Sequence, residues 1–355
     1  ATASKKFKVI CYDENISTIN LLKKKVSPIF EKNLEKNIKL NFSNLIFTNN
    51  ISELKDCDNV YISEDVSTKI SGESDLITTK KLIDKTIKHL NKNSNLIILC
   101  QVPPGFCRSI NWNKDQLFYQ VETLIFGQAF ERALFPERLI IGTENKKNEI
   151  KQSYLKLLKS FNCPLIIMNY ESAELAKISI NMYLISTVTT TNVISEVCEK
   201  IDANWNDISI ALKLDRRIGK YAYLEPGLGI SGGNLERDLY TLQRLQETNH
   251  LNNKFILELK KKSISRKLWI LNVIKKLKKK YKLKDISILG LAYKIGTHSI
   301  KNSPGIQLIK SLKGYKIRAF DPIVKKIDDI KNVKICKNSH ETIKGCDILI
   351  ITTPW

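Results

Sequence analysis

Two stretches of the chain, one near each end, repeat an apolar strand that ends in an aspartate. Residues 7–13 read Phe-Lys-Val-Ile-Cys-Tyr-Asp, and residues 315–321 read Tyr-Lys-Ile-Arg-Ala-Phe-Asp. A second pair of similar strands follows at residues 57–63 and 346–352. Short apolar strands that alternate with helical stretches are typical of parallel sheets covered by helices on both faces. The repeat therefore predicts an α/β chain with two related doubly wound units.

The two copies differ in what precedes the aspartate. Asp321 follows another apolar strand, at 286–291, and a helical stretch, whereas only twelve residues precede Asp13. We therefore expect the first strand and the glycine-rich phosphate turn of the earlier unit to be missing from this sequence. An acidic residue at the end of the second strand of such a unit commonly binds a ribose hydroxyl. Asp13 is thus a candidate cofactor-binding residue, and the alternative is a helix cap before Ile16.

The composition excludes several classes of protein. A chain of 355 residues with 43% hydrophobic and 26% charged residues is too long for one ordinary core and is typical of a soluble globular protein. No apolar run reaches the roughly 20 residues of a membrane span, and the start lacks a signal peptide, so we expect a cytoplasmic protein. The 8 cysteines form no C-x-x-C pair and the 4 histidines are scattered, so we expect no metal site.

The net charge of +22 raises the possibility of a nucleic-acid partner. The densest basic run, residues 260–280, encloses apolar residues at helical spacing, which predicts one amphipathic helix with a solvated basic face. No aromatic-interleaved basic strand or zinc-finger spacing accompanies the charge. We therefore expect no nucleic-acid partner and no membrane partner.

The middle of the chain combines a long helix with a glycine-rich loop. Residues 171 to about 201 have a helical pattern, on which Lys177 and Asn181 lie one turn apart. Residues 224–234 then read Leu-Glu-Pro-Gly-Leu-Gly-Ile-Ser-Gly-Gly-Asn, a loop suited to close approach of backbone to a ligand. A flexible linker is the alternative, and the apolar helices that flank the loop argue against it.

These features resemble, in the same order, the motifs of the nucleotide-sugar dehydrogenases, the family that includes UDP-glucose 6-dehydrogenase and GDP-mannose dehydrogenase. Residues 171–181 resemble the family's E-x-x-K-x-x-x-N helix, and residues 214–219 its L-D-x-R-I-G segment. Shorter matches are V-P-x-G at 102–105, P-x-R-x-x-x-G at 136–142, L-G-L-A-F-K at 289–294 and S-P at 303–304.

The resemblance implies two Rossmann-like doubly wound domains joined by a central helical domain. The NAD-binding domain would occupy residues 1–166, the helical dimerisation domain 167–262, and the nucleotide-sugar (UDP)-binding domain 263–355. We expect the N-terminal βα unit and the C-terminal end to be missing. The resemblance also implies NAD as cofactor, a UDP-sugar as substrate, a role in polysaccharide precursor synthesis, and a homodimer or higher homo-oligomer.

Members of this family oxidise a primary alcohol to a carboxylate in two steps, and the second step uses a cysteine thiolate in a G-G-S-C-x-P-K-D motif. When the closing aspartate is aligned with Asp238, the motif falls on residues 231–238 and the cysteine position is Asn234. No cysteine lies between Ile201 and Cys336. Because a carboxamide cannot form a thioester, the resemblance predicts an altered second oxidation.

The remaining site residues are also assigned by the resemblance. Lys177 would stabilise the alkoxide, Asn181 would hold a water or a sugar oxygen, Asp238 would transfer a proton, and Glu122 would activate water. Lys301 replaces an arginine and is a candidate cofactor-binding residue. The candidates for substrate binding are Arg217, Tyr223, Leu224, Gly227 and Lys294. Taken singly, Lys177 could be a surface lysine, Glu122 a capping residue and Arg217 half of an ordinary ion pair.

Three functions follow from this reasoning. The first is an NAD-dependent, UDP-glucose 6-dehydrogenase-like oxidation of a nucleotide sugar, with its second step in doubt because of Asn234. The second is a non-catalytic homologue that binds a nucleotide sugar or serves as a partner subunit. The third, a basic nucleic-acid-binding protein, rests on the net charge alone.

Overall fold

The computed structural model describes residues 1–29, 31–69, 71–125, 127–327, 330 and 332–355. The chain divides into two compact units, residues 1–179 and 180–355. The division into three domains at residues 166/167 and 262/263 stays a prediction. None of the helices formed by the described residues is long and apolar enough to cross a membrane.

The first unit is built on short strands. Its strands are β1 (Val9–Tyr12), β2 (Leu45–Thr48), β3 (Asn59–Ile62), β4 (Ser67–Thr68), β5 (Ser74–Asp75), β6 (Asn95–Ile98), β7 (Leu117–Gln120), β8 (Leu139–Thr143) and β9 (Leu165–Asn169). The main sheet has the order β3-β6-β7-β8-β9 and is parallel except between β7 and β8. A separate parallel pair joins β1 to β2, and β4 pairs with β5 in antiparallel fashion.

The first unit also contains α-helices, which pack on the main sheet and, in the case of the first two, on the separate β1–β2 pair. They are α1 (Ile16–Lys23), α2 (Leu34–Leu40), α3 (Ile77–Ile87), α4 (Ala129–Leu134), α5 (Gln152–Lys159) and the start of α6 (Tyr170–Ile201). Leu96, Ile97 and Ile98 of β6 are consecutive and wholly buried, as expected for a strand covered on both faces. The start of α6 is fixed to the sheet, because the Tyr170 hydroxyl donates to the Leu117 carbonyl at 2.8 Å.

The second unit contains the rest of α6 and a parallel sheet. Its further elements are α7 (Trp205–Leu214), α8 (Asn234–Thr248), α9 (Lys254–Lys267), α10 (Trp269–Lys278), β10 (Asp285–Leu289), α11 (Pro304–Ser311), β11 (Lys316–Phe320), β12 (Val333–Ile335), α12 (Ser339–Ile343) and β13 (Ile348–Ile351). The sheet has the order β12-β11-β10-β13, and every pair of neighbouring strands is parallel. The α/β class with doubly wound parallel sheets is therefore confirmed.

The two copies of the internal repeat are arranged differently in the two units. In the second unit β10 lies between β11 and β13, which carry the later copies of the repeated strands. Their counterparts in the first unit, β1 and β3, belong to separate sheets, and no strand of the described residues pairs with both. The aspartates that end the repeated strands are Asp13 after β1 and Asp321 after β11.

One prediction about the helices is wrong. The basic run at 260–280 is not a single helix, because α9 ends at Lys267 and α10 begins at Trp269. The break lets α10 direct Ile270 and Ile274 into the core of the parallel sheet. The alternation of lysines with apolar residues fits both helices, so the spacing alone does not locate the break.

Candidate active site

Asp13 lies at the carboxyl end of β1, the edge at which parallel α/β sheets bind ligands. Its side chain is exposed, and Oδ1 accepts a hydrogen bond from the backbone N–H of Asn15 at 2.8 Å. The alternative that Asp13 caps the first helix is wrong, because the cap is Asn15, which accepts from the N–H groups of Ser17 and Thr18. An exposed carboxylate at this edge fits the ribose hydroxyls of NAD, which are hydrogen-bond donors.

Glu122 follows β7 in the first unit. Its carboxylate accepts a hydrogen bond from the backbone N–H of Leu124, two residues further along the chain. The side chain is half-buried, and the neighbouring Phe126 lies outside the described residues. The activation of water by Glu122 therefore stays a prediction, and the contact with Leu124 shows what orients the carboxylate here.

The first turns of α6 bring a lysine and a buried glutamate to the first unit. Lys177 is half-buried. Glu174, one turn earlier, is completely buried, and its two oxygens accept from the N–H groups of Gly105 at 2.6 Å and Cys107 at 2.8 Å. Burial raises the pKa of Glu174 above its usual value of 4.5, although the two amides of Cys107 and Gly105 favour the ionised form.

Two of the predicted catalytic residues meet in the second unit. The Asn181 side chain donates from Nδ2 to Oδ2 of Asp238 at 2.5 Å. Asn181 is 9% exposed and Asp238 2% exposed, so the pair has little contact with bulk solvent. Because the carboxylate fixes the nitrogen of the Asn181 amide, the amide oxygen is left to accept a hydrogen bond from a water or a sugar hydroxyl.

Asn234 is the first residue of α8 and is exposed. Its Oδ1 accepts a hydrogen bond from Nη2 of Arg237 at 3.1 Å. Because a guanidinium only donates, it bonds the oxygen of the Asn234 side chain, and the side-chain nitrogen takes no part in this contact. The position assigned to the cysteine thus lies at a helix N-terminus beside a buried guanidinium, the surroundings that favour an anion.

The loop before α8 is held by the segment that follows β10. The Gly232 N–H donates to the Lys301 carbonyl at 3.2 Å, and the Asn302 amide donates to the Gly232 carbonyl at 2.9 Å. Gly232 has a φ of +80°, and a Cβ there would lie 3.1 Å from the Tyr293 ring. A Cβ on Gly233 would lie 3.0 Å from the Lys301 ammonium nitrogen. The structure therefore brings Lys301 next to the residue that precedes Asn234.

Two of the predicted substrate-binding residues are held through their backbone. The Leu224 carbonyl accepts from the Trp205 indole at 2.9 Å, and Leu224 is buried. The Gly227 N–H donates to the Asn192 side chain at 2.8 Å, and the Gly227 carbonyl accepts from Arg266 at 2.8 Å. These contacts show that the loop is a fixed structure, so the linker alternative is wrong for this segment.

The other predicted substrate contacts are more exposed. The Arg217 side chain is 89% exposed and forms a two-point ion pair with Asp215, with distances of 3.0 and 2.6 Å. This side-chain contact with Asp215 raises the pKa of Arg217. Tyr223 is exposed, and the Lys294 ammonium lies 5.9 Å from the centre of the adjacent Tyr293 ring. Binding of substrate by these residues stays a prediction.

Sequence reasoning missed Glu174, Arg237 and Asn302. Glu174 is the first residue of the E-x-x-K spacing that ends at Lys177, so the motif contained a signal for it. Arg237 precedes Asp238 in the motif aligned at 231–238. Nothing in the sequence signals that Asn302 contacts Gly232, because 70 residues separate the two.

Sequence models of three successive domains match the chain. The NAD binding domain of the UDP-glucose/GDP-mannose dehydrogenase family matches residues 1–162, the central domain 171–262 and the UDP binding domain 287–355. Together with the two parallel-sheet units, these matches define an NAD-dependent oxidoreductase that acts on a nucleotide sugar.

Relatives named UDP-glucose 6-dehydrogenase agree with this class. The chain is 33% identical over 365 residues to a UDP-glucose 6-dehydrogenase of Rickettsia bellii, covering 98% of this chain and 84% of the relative. It is 34% identical over 368 residues, with the same coverage, to one of Rickettsia prowazekii. The chain belongs to the UDP-glucose/GDP-mannose dehydrogenase family, as the motifs predicted.

Solved structures share the fold. A UDP-glucose dehydrogenase of Pyrobaculum islandicum superposes with a TM-score of 0.89 at 20% identity, covering 100% of this chain and 86% of that one. A UDP-D-ManNAc dehydrogenase of Pyrococcus horikoshii gives 0.83 at 20% identity, with coverages of 99% and 85%.

Proposed function

We propose that this protein oxidises the primary alcohol of a UDP-sugar with NAD and releases the aldehyde. The observation that carries this proposal is the side chain of Asn234, a carboxamide at the helix N-terminus to which the family motif assigns a cysteine. The Asn181–Asp238 pair, needed for the first step, is intact. A carboxamide cannot form the covalent intermediate of the second oxidation, so the chemistry stops after two electrons.

The first oxidation removes a hydride and a proton from the alcohol. When bound, NAD supplies the acceptor for the hydride. In this proposal the Lys177 ammonium stabilises the alkoxide and the Asp238 carboxylate accepts the proton. The Asn181 oxygen orients the sugar oxygen or a water. These roles are supported by the family motif that the residues match and by the burial of Asn181 and Asp238.

Binding of the substrate and cofactor is assigned to two groups of residues. Lys301 provides a cation for a phosphate beside Gly233, and Asp13 accepts hydrogen bonds from the ribose of NAD. A lysine acts as a point charge where an arginine would make two parallel contacts, so we propose a less directional phosphate contact. The substrate side consists of Arg217, Tyr223, Leu224, Gly227 and Lys294.

The assembly proposed is a homodimer formed by the central helices. Support comes from large apolar side chains that α6 and α7 leave exposed in the second unit, namely Tyr183, Val197, Ile201, Ile210 and Leu214. Large apolar side chains left exposed on neighbouring helices are typical of an interface. The cytoplasmic location and the three domain ranges given above remain predictions.

A non-catalytic nucleotide-sugar-binding subunit is the second candidate. Two observations favour it: Asn234 cannot act as the nucleophile, and the carboxylate of Glu122 contacts the backbone of its own loop. This candidate predicts saturable binding of a nucleotide sugar without turnover, and in it Lys177 has no catalytic role.

The test is the number of NADH molecules formed per sugar consumed by the full-length natural protein. UDP-glucose, UDP-N-acetyl sugars and GDP-mannose are offered in turn with NAD, and the product is analysed for aldehyde and carboxylate. We expect one NADH per sugar and an aldehyde product.

Two controls separate the candidates. Lys177→Ala should abolish NADH formation, whereas a surface change, Lys92→Ala, should leave it intact. Two NADH per sugar with a carboxylate product would overturn the two-electron proposal. Sugar binding without any NADH would favour the non-catalytic subunit.

A further inference from the structure

We propose that Glu174 is a positioning residue for the hydride-transfer step, because its carboxylate fixes the turn after β6 to the helix that carries Lys177. The proposal deepens the proposed oxidation and rests on it. All the groups involved lie in the first unit: Glu174, Lys177 and the turn that contains Gly105 and Cys107.

The contact is made by both oxygens of one carboxylate. Oε2 accepts from the Gly105 N–H at 2.6 Å and Oε1 from the Cys107 N–H at 2.8 Å. Gly105 has a φ of +91°, in the left-handed region, so its N–H direction belongs to a specific turn conformation. Glu174 thus joins two parts of the chain that are 69 and 67 residues away in sequence.

The position of this turn relates it to the chemistry. It follows β6, a central strand of the main sheet, and therefore lies at the carboxyl edge where parallel sheets bind their ligands. Lys177 follows Glu174 by three residues on one continuous helix, so the two side chains leave neighbouring parts of its surface. A displacement of the turn relative to α6 therefore changes the separation between the ligand edge and the Lys177 ammonium.

The chemical identity of Glu174 favours a positioning role over simple packing. A buried carboxylate is costly to desolvate, and here two backbone N–H donors offset that cost; an apolar side chain of similar volume would leave both donors unpaired. A glutamine would present one oxygen and one N–H2 group, and that N–H2 group would face one of the two amide donors. Only the carboxylate accepts at both positions, which explains why an ionisable group is kept with zero exposure.

Glu171 provides a matched control on the same helix. It lies one turn before Glu174 and forms an ion pair with Arg108, the residue next to Cys107, with contacts of 2.5 and 3.0 Å. This pair is exposed, and it joins the same two segments of chain as Glu174 does. Exposed pairs contribute little to stability, about 0–1 kcal/mol.

The experiment compares Glu174→Gln with Glu171→Gln in the full-length protein. Measured are kcat, KM for the sugar, NAD affinity by calorimetry, thermal unfolding, and the isotope effect of a substrate deuterated at the oxidised carbon. For Glu174→Gln we expect kcat to fall about 30-fold or more, because misplacement by about 1 Å costs roughly 100-fold. KM and NAD affinity should stay within about threefold, and the isotope effect should rise as hydride transfer becomes rate-limiting. Glu171→Gln should match the wild type within about twofold.

Each result decides the matter. An unchanged kcat and isotope effect in folded Glu174→Gln would overturn the proposal, and so would parallel losses of kcat, NAD binding and thermal stability. If Glu174→Gln does not fold, Glu174→Asp takes its place, because its shorter side chain keeps the charge and reaches only one amide. An unchanged kcat in Glu174→Asp would then contradict the proposal.

A wild type without turnover would reject both the proposed oxidation and this inference. A wild type that turns over, with Glu174 variants that turn over equally fast, would reject this inference alone.

Discussion

In the proposed function a single side chain, Asn234, separates this protein from the four-electron oxidation that the family motif implies. The residue begins α8 and accepts a hydrogen bond from Arg237, so a helix N-terminus and a guanidinium both act on the position. Each of these favours an anion and would lower the pKa of a thiol placed there. The surroundings of Asn234 are therefore suited to a thiolate that the sequence does not provide.

This reasoning predicts the effect of Asn234→Cys. We expect the variant to form two NADH per sugar and a carboxylate, because the thiolate captures the aldehyde for a second hydride transfer. Stoichiometry and product analysis check the result, and iodoacetamide labelling near neutral pH reports the thiolate. Asn234→Ser is the control and should remain at one NADH. If the new cysteine is reactive but only one NADH is formed per sugar, another residue prevents the second oxidation, and Glu122 is the first residue to test.

At the scale of the element, the repeated strands differ in how their terminal aspartates are used. Asp13 is exposed after β1, whereas Asp321 after β11 is 1% exposed. The Asp321 carboxylate accepts from the N–H groups of Leu291, Ala292, Ile323 and Val324, and from the Trp355 indole. The exposed copy is the one proposed to bind the cofactor, and the buried copy fixes the turn after β10.

Asp321 predicts an acid dependence of stability. Burial alone would raise its pKa, but the four backbone N–H donors outweigh burial and hold the pKa below the usual 3.8. Because the folded-state pKa lies below that of the unfolded chain, the stabilisation is complete well above pH 3.8 and is lost as the pH falls through the folded-state pKa. Thermal unfolding between about pH 6 and 3 should show this loss.

The corresponding variant, Asp321→Asn, should be destabilised by about 2–3 kcal/mol at neutral pH, because its N–H2 group faces backbone donors. Its stability should depend less on pH below about 4. Asp347→Asn is a matched control: Asp347 also accepts two backbone N–H bonds but is exposed, so its replacement should cost less. Equal losses in the two variants would contradict a special role for Asp321.

The elements show what sequence alone can predict here. The long helix and the repeated strands were predicted because their apolar periodicity is local. The break at Leu268 was not, since lysines and apolar residues alternate on both sides of it. The contacts of Glu174 with Gly105 and Cys107 could not be predicted either, because side-chain hydrogen bonds between residues nearly 70 positions apart leave no periodic signal in the sequence.

At the scale of the whole molecule, the central helices leave large apolar side chains exposed in the single chain. Ile201 and Leu214, at the ends of α6 and α7, are 67% and 79% exposed in the single chain. The Arg217 side chain follows α7 closely and extends into solvent with Asp215 as its contact. The resemblance assigns Arg217 to substrate binding, and we propose that in the homodimer it reaches the site of a neighbouring subunit, so dimerisation and sugar binding should be linked.

We therefore expect Leu214→Asp combined with Ile201→Asp to convert a dimer into monomers and to weaken UDP-sugar binding at least tenfold. Burial of apolar area drives association, and two carboxylates at the interface remove that gain and add a desolvation cost. Light scattering coupled to gel filtration measures the mass, and calorimetry measures sugar affinity. Leu40→Asp, an equally drastic change on the exposed part of α2, should affect neither. A wild type that is monomeric at micromolar concentration and still binds the sugar would show that Arg217 acts within its own chain.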